Sequence, residues 1–299
     1  MRISTQTLFD NGAARIGDVQ TALYKTQQQI ATGRRILTPA DDPVAAARAL
    51  GVTQSQAINT QYGTNRGYAK DSLVAVDATL SSVTELLQEV KTTAISAGNV
   101  TLNDSERASI ATALQGSLNQ LMGLANATDG QGNRLFSGFQ TNTPPFVQTA
   151  TGVQYQGDQG QRLIQVDSAR KMAVSSPGQA VFQGGGQDMF KTLNDLITQL
   201  NTPGTTGLSA ALATANSNFQ LALDNVSTVR ASVGTRLQEL DALDSYGSDK
   251  SLQYSQTLST LQDLDYTQAL TDLTRQQTIL EAAQKSFAQT SSLSLFKFL

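Results

Sequence analysis

Cysteine, histidine and tryptophan are all missing from this 299-residue chain. Without cysteine there can be no disulfide, no thiolate nucleophile and no thiolate metal site. Without histidine there is no imidazole base near neutral pH and no common zinc ligand. A chain with no thiol is compatible with an oxidising compartment, although the count alone does not assign one. Charge and aromatic rings are also scarce, at 15% and 6% of residues, so solubility rests on Gln, Thr, Ser and Asn. No run approaches the roughly 18 apolar residues of a membrane span. Met1–Asn11 lacks the charged-then-apolar pattern of a cleavable signal peptide, so export would need another route. The net charge of −3 is too small to point to nucleic acid or an anionic membrane as partner.

What is present is helical periodicity. Near the start, Phe9, Gly12, Ile16, Val19, Leu23, Thr26 and Ile30 fall at alternating three- and four-residue steps; near the end, Tyr266, Leu270, Leu273, Gln277, Leu280, Gln284 and Phe287 do the same. Such spacing keeps one stripe of a helix toward a partner helix, but Gly, Thr and Gln dilute both stripes. Residues 1–35 carry a net charge of +3 and residues 237–299 a net charge of −4, a complementarity that favours pairing of the two ends, within or between chains. Association with other copies is the sharper expectation for these seams, since no third element is left over to cover them.

Between the ends the pattern is continuous. Gly33 suits a helix C-cap and Asp42-Pro43 a helix start, because the carboxylate accepts orphan amides and proline presets φ. From Pro43 to about Ala97 no proline intervenes, and Ala69, Leu73, Val76, Leu80, Val83, Leu87, Val90 and Ala94 form an unbroken seam, about 40 Å long at 1.5 Å per residue. Asn103 and Glu106 read as a capping box for a helix through Ile110, Leu114, Leu118, Leu121 and Leu124, expected to form a hairpin with its predecessor. From Asp129 to Gly186 turn residues recur between short runs at Val153–Tyr155, Leu163–Val166 and Met172–Val174, which predicts a small β-rich insertion. Helical pattern resumes at Met189, breaks at Pro203-Gly204, and continues to the terminal seam.

The expected fold is mainly α with a small β-rich insertion: a long antiparallel helical bundle or coiled coil built from both chain ends. Three parts are expected: a terminal coiled-coil assembly domain (1–42 with 255–299), a helical bundle (43–129 with 187–254) and a β-rich outer domain (130–186).

Chemical motifs do not survive inspection. Gly130-Gln131-Gly132 and Gly184-Gly185-Gly186 do not continue into a phosphate-binding pattern and read as hinges. Asp41/Asp42, Asp241/Asp244 and Asp263/Asp265 lack the ligand spacing of a calcium loop and read as caps and solvated charge. No enzyme activity, cofactor or metal is expected; a carboxylate-based hydrolase in the outer domain is the remote alternative.

Several segments resemble the flagellin superfamily: Met1-Arg2-Ile3-Ser4-Thr5, Gln29–Ile36 leading to Ala40-Asp41-Asp42-Pro43, Gly132-Asn133-Arg134-Leu135-Phe136-Ser137-Gly138, Tyr155-Gln156-Gly157-Asp158 and Leu293–Leu299. The Gly33–Pro43 segment fits flagellins generally; the start, the Gly132–Gly138 motif and the ending favour the hook-associated protein 3 branch. The resemblance implies a structural protein exported unfolded by the flagellar type III apparatus with an export chaperone. It implies a ring of copies at the hook–filament junction, between hook-associated protein 1 and flagellin, with no nucleic acid and no membrane insertion. Flagellin itself, the filament subunit, is the close alternative. The expected subunit-interface residues are Phe9, Ile16, Val19, Leu23, Ile30, Leu270, Leu273, Leu280, Phe287, Leu293 and Phe296. The family motif loop is carried by Gly33, Arg34, Pro39, Asp41, Asp42 and Pro43.

Overall fold

The computed structural model describes residues 5–150 and 152–296, with side chains described for residues 7, 9–150 and 152–290. The chain runs α1 (Thr5–Thr32), α2 (Pro43–Ser96), α3 (Asp104–Ala125), β1 (Phe146–Thr149), β2 (Gly152–Tyr155), β3 (Leu163–Asp167), β4 (Arg170–Ala173), α4 (Gly178–Phe182), α5 (Met189–Leu200), α6 (Leu208–Gln262) and α7 (Tyr266–Phe296). It is mainly α with a small β-rich insertion, as the periodicity predicts. Two compact units are present, Met1–Ile58 with Asp249–Leu299, and Asn59–Ser248. Their boundaries fall inside α2 and α6, which are continuous helices of 54 and 55 residues.

Local chemistry places the helix ends. Pro43 opens α2, and the Ala45 amide donates to the Asp42 carboxylate at 3.0 Å. Asn103 and Glu106 form the expected capping box of α3. Asp188 caps α5 through the Lys191 amide. Asp265 accepts from the amides of Thr267 and Gln268 and so restarts the chain as α7. Each such cap answers amides that the first helical turn leaves without partners, worth typically about 1 kcal/mol.

The core lies in the larger unit. The whole Ala69–Ala94 seam of α2 is buried to 1% exposure or less, and one cluster of buried residues extends from there to Leu240 of α6. The two long helices run antiparallel. Their polar bridges pair Asn59 with Gly247, Arg66 with Asp244, Lys70 with Asp241, Asp77 with Arg230 and Lys91 with Gln220, so one number rises as the other falls. The close Cα approach of α3 is to α5 rather than to the preceding α2 of the expected hairpin. The strongly one-sided apolar face of α5, with Leu193, Leu196, Ile197 and Leu200 buried, provides the surface.

The strands form two separate antiparallel hairpins, β1–β2 and β3–β4, the second with a bulge between Gln165 and Asp167. A two-stranded hairpin is marginal alone, and both are tied to the helical core. Phe146 packs its ring 5.1 Å from Tyr155, 5.3 Å from Phe182 and 5.0 Å from Phe190. The Asn126 amide bonds both the N–H and C=O of Phe146. Asn65 and Arg66 donate to the carbonyls of Gln165 and Val166 in β3, and Arg236 to that of Ala173 in β4. The Gly132–Gly138 and Tyr155–Asp158 motifs meet here: the Tyr155 hydroxyl donates to the Phe136 carbonyl, and the Phe139 amide to Asp158. β1 and α4 were not expected from the sequence.

Candidate assembly surface

The smaller unit is built from helices without a deep core. α1 and α7 pack against each other, with the Phe9 and Phe287 rings edge to face at 5.6 Å. On α1 the expected seam residues Phe9, Ile16, Val19, Leu23 and Ile30 are all half-buried, and Thr26 is buried. On α7 the expected Leu273, Leu280 and Phe287 are half-buried. Leu270 is not; it is 51% exposed, and Gln277 and Gln284 are exposed as well. The covered positions are instead Ala269, Gln276 and Ala283. The α7 stripe therefore steps 266, 269, 273, 276, 280, 283, 287, which places alanines toward α1 and turns Leu270 outward. The expected seam residues Leu293 and Phe296 lie outside the residues whose side chains are described, as do the opening Met1–Ser4 and the closing Lys297–Leu299.

Among the described residues, every buried hydrophobic residue of this unit is an alanine: Ala45, Ala49 and Ala269. Tyr24, Leu50, Leu252, Tyr266, Leu270 and Ile279 stay exposed, and the buried Gln276 Oε1 has no hydrogen-bond partner. Scattered exposed side chains are ordinary, but a unit whose large apolar groups are at best half covered, with an orphaned acceptor in its seam, is a surface short of partners. Among the described residues no ion pair joins α1 to α7. The ion pairs described on these helices join Lys25 to Asp41 and Asp272 to Arg275, each within its own stretch of chain.

The motif loop closes the unit. The Arg35 amide donates to the Gln262 carbonyl at 2.7 Å and the Leu264 amide to the Gly33 carbonyl at 3.0 Å, so the break between α1 and α2 is stitched to the break between α6 and α7. Arg34 lies opposite Asp263 in this short antiparallel bridge. The Arg35 guanidinium reaches both the Leu261 carbonyl and Asp42. Asp41 accepts from Lys25 Nζ at 2.6 Å and from the amides of Leu37 and Thr38, while Pro39 is exposed at the turn. These bonds, that from Lys25 foremost and then that from Thr38, hold the Asp41 carboxyl down at about 2. A group whose pKa falls on folding stabilises above its unfolded value and loses that contribution as pH drops through the folded one. The loop should stay closed as pH falls to the ordinary carboxylate value of 3.8 and open only toward about 2. The amide proton shifts of Leu37 and Thr38 report this by NMR. A titration midpoint at the ordinary carboxylate value would show that the bonds are not formed.

The carboxylate pairs have structural duties. Asp241 and Asp244 are salt-bridged to Lys70 and Arg66, Asp263 accepts from Ser259, and Asp265 caps α7. A cavity of about 680 Å³ in the larger unit is lined by Asp71, Asp129 and Arg162 among others. Burial pushes the Asp129 carboxyl up, but bonds from Asn133 and Gln131 prevail and hold it below the usual range, so it is a poor proton donor. Among the described residues no group of three or more His, Cys, Asp or Glu is placed to hold a metal ion, and no helix is long and apolar enough to cross a membrane.

Residues 3–141 match the family model described as the bacterial flagellin N-terminal helical region. The flagellar hook-associated protein 3 of Salmonella typhimurium is 37% identical, covering 99% of each chain. The protein of that name in Escherichia coli is 36% identical with the same coverage. The solved structure of the flagellar junction protein FlgL from Legionella pneumophila superposes with a TM-score of 0.62 at 19% identity, over 72% of this chain and 100% of that one. The paired terminal helices, the stitched motif loop and the full-length identity agree: the chain belongs to the flagellar hook-associated protein 3 family.

Proposed function

We propose that the chain is a structural protein of the flagellar axis, forming the junction ring that joins the hook, through hook-associated protein 1, to the first flagellin subunits. It acts without catalysis. It leaves the cell unfolded through the flagellar type III apparatus, guided by an export chaperone, and takes its place outside the cell. The seam residues of α1 and α7, with the exposed Tyr24, Leu270 and Ile279, are its contacts with neighbouring copies. The terminal unit carries this reading. Its helices pair through half-covered side chains and alanines, so neighbouring chains would supply further apolar burial, and the ordering cost of the ends would be offset on assembly. The three-part division into assembly, bundle and outer domains belongs to the same proposal.

Deleting the gene and imaging cells by electron microscopy tests the role. Hooks without filaments, with flagellin shed into the medium, are expected; intact filaments would refute it. Purified protein should not polymerise alone into long filaments, and doing so would favour the flagellin reading.

A further inference from the structure

We infer that Gly12 and Gly33 determine the register of the α1–α7 pair, acting as sockets for Phe287 and Tyr266. A Cβ at Gly12 would sit 2.9 Å from Phe287 Cδ2 and 3.0 Å from Cε2, well inside the optimal carbon–carbon separation of about 3.5–4.0 Å. A Cβ at Gly33 would sit 2.9 Å from the Tyr266 hydroxyl, and its φ of +69° is one that side chains other than glycine rarely adopt.

The two glycines are 21 residues apart, Gly12 within α1 and Gly33 just past its end, and Phe287 and Tyr266 are 21 residues apart on α7. In an antiparallel pair, equal spacing brings the Phe287 ring onto Gly12 and the Tyr266 hydroxyl onto Gly33 at once. The only other glycine in residues 1–35 is Gly17, where an added Cβ would meet nothing. No other two glycines of this stretch are 21 apart, so no other register brings both side chains onto a glycine. Slipping α7 by one heptad so that Leu273 comes opposite Val19 would bring Tyr266 to Thr26 and Phe287 to Thr5, losing both seats. Between the sockets α7 offers only alanine, leucine and Gln276, and the α1 aliphatics Ile16, Val19, Leu23 and Ile30 are interrupted by Thr26 and only half-buried, so the rest of the seam grips register weakly. The inference rests on the assembly reading, because a fixed register is what places Leu270 and Tyr24 identically on every copy.

The absence of cysteine makes the test clean. In this register Val19 faces Leu280, seven residues inward from each partner of the Gly12 socket. Val19→Cys/Leu280→Cys is introduced into the full-length chain, in the parent strain lacking its own copy, and oxidative cross-linking is read in purified and flagella-bound protein. Val19→Cys/Leu273→Cys reports a one-heptad slip. The 19/280 pair should cross-link and the 19/273 pair should lag by about tenfold, and Gly12→Phe should lower the 19/280 yield by about tenfold through overpacking. Gly12→Phe/Phe287→Ala, which moves the ring to the other helix, should restore it. An unchanged yield in Gly12→Phe, a double variant no better than the single, or equal yields for the two cysteine pairs would overturn the inference. Incorporation into flagella is scored separately by immunoblot. Native-socket protein that cross-links at 19/280 but never enters flagella would count against the junction role and leave the register standing.

Discussion

Ending the chain after Ile279 is expected to abolish filament attachment while leaving the larger unit folded. The cut removes Leu280 and Phe287, and with them the ring that seats over Gly12 and touches Phe9. α1 would then keep a stripe of half-covered side chains with nothing opposite its first half. An isolated helix of that kind is marginal in water, because nucleation is costly and most helix stability in proteins comes from packing. The core does not notice: its large, fully buried side chains run from Leu73 to Phe219. Motility should fall to that of the gene deletion, and electron microscopy should show bare hooks. The main thermal transition should move by no more than about 2 °C, a shift corresponding to about 0.5–1 kcal/mol in a domain of this size. Normal filaments from the truncated protein would end the assembly reading of α7. A collapsed transition would show that the terminal unit supports the core after all.

Phe146→Ala should be the most damaging single change to the core. Phe146 is 1% exposed and contacts three other rings. Deleting a buried phenylalanine costs about 3–5 kcal/mol in lost transfer energy and cavity, against a total stability of about 5–15 kcal/mol for a typical domain. The same residue fastens β1–β2 to the helices, since the Asn126 amide grips its backbone and Tyr155 lies across from it in the hairpin. Urea titration of the full chain should show a lower midpoint with an unchanged slope if the hairpin and helices unfold together. A loss under about 1 kcal/mol would mean that the neighbouring rings close the cavity.

Legibility in the sequence tracked periodicity. The Ala69–Ala94 seam could be read because every third or fourth residue is apolar over about seven turns. The capping box at Asn103 and Glu106 was legible for a different reason: two side chains answering orphan amides leave a fixed spacing. Within the α1–α7 pair the covered α7 positions differ from the hydrophobic stripe at alternate steps, Ala269, Gln276 and Ala283 standing where the stripe has Leu270, Gln277 and Gln284. Hydrophobicity ranks Leu270 above Ala269, but two helices at close range choose the residue that lets their backbones approach. The mirrored three-four spacing of α1, read backward from Gly33, holds the correct answer. β1 follows two prolines and spans four residues, and α4 spans five, too short for either period to register. The partnership of α3 with α5 rests on long-range packing that local pattern does not encode.

The antiparallel bridges of α2 and α6 have a consequence for the order of folding. Gly12 and Phe287 are 275 residues apart in the chain, and closing so large a loop in an unfolded chain is slow and entropically costly. Once Asn59 has bonded Gly247, the loop still to be closed is counted outward from that point and shrinks to roughly 90 residues, lowering the closure cost by about 1 kcal/mol. A chain delivered from its first residue onward would thus hold α1 single until the last residues arrive, and then zip the pair from the Gly33–Leu264 stitch toward its tips.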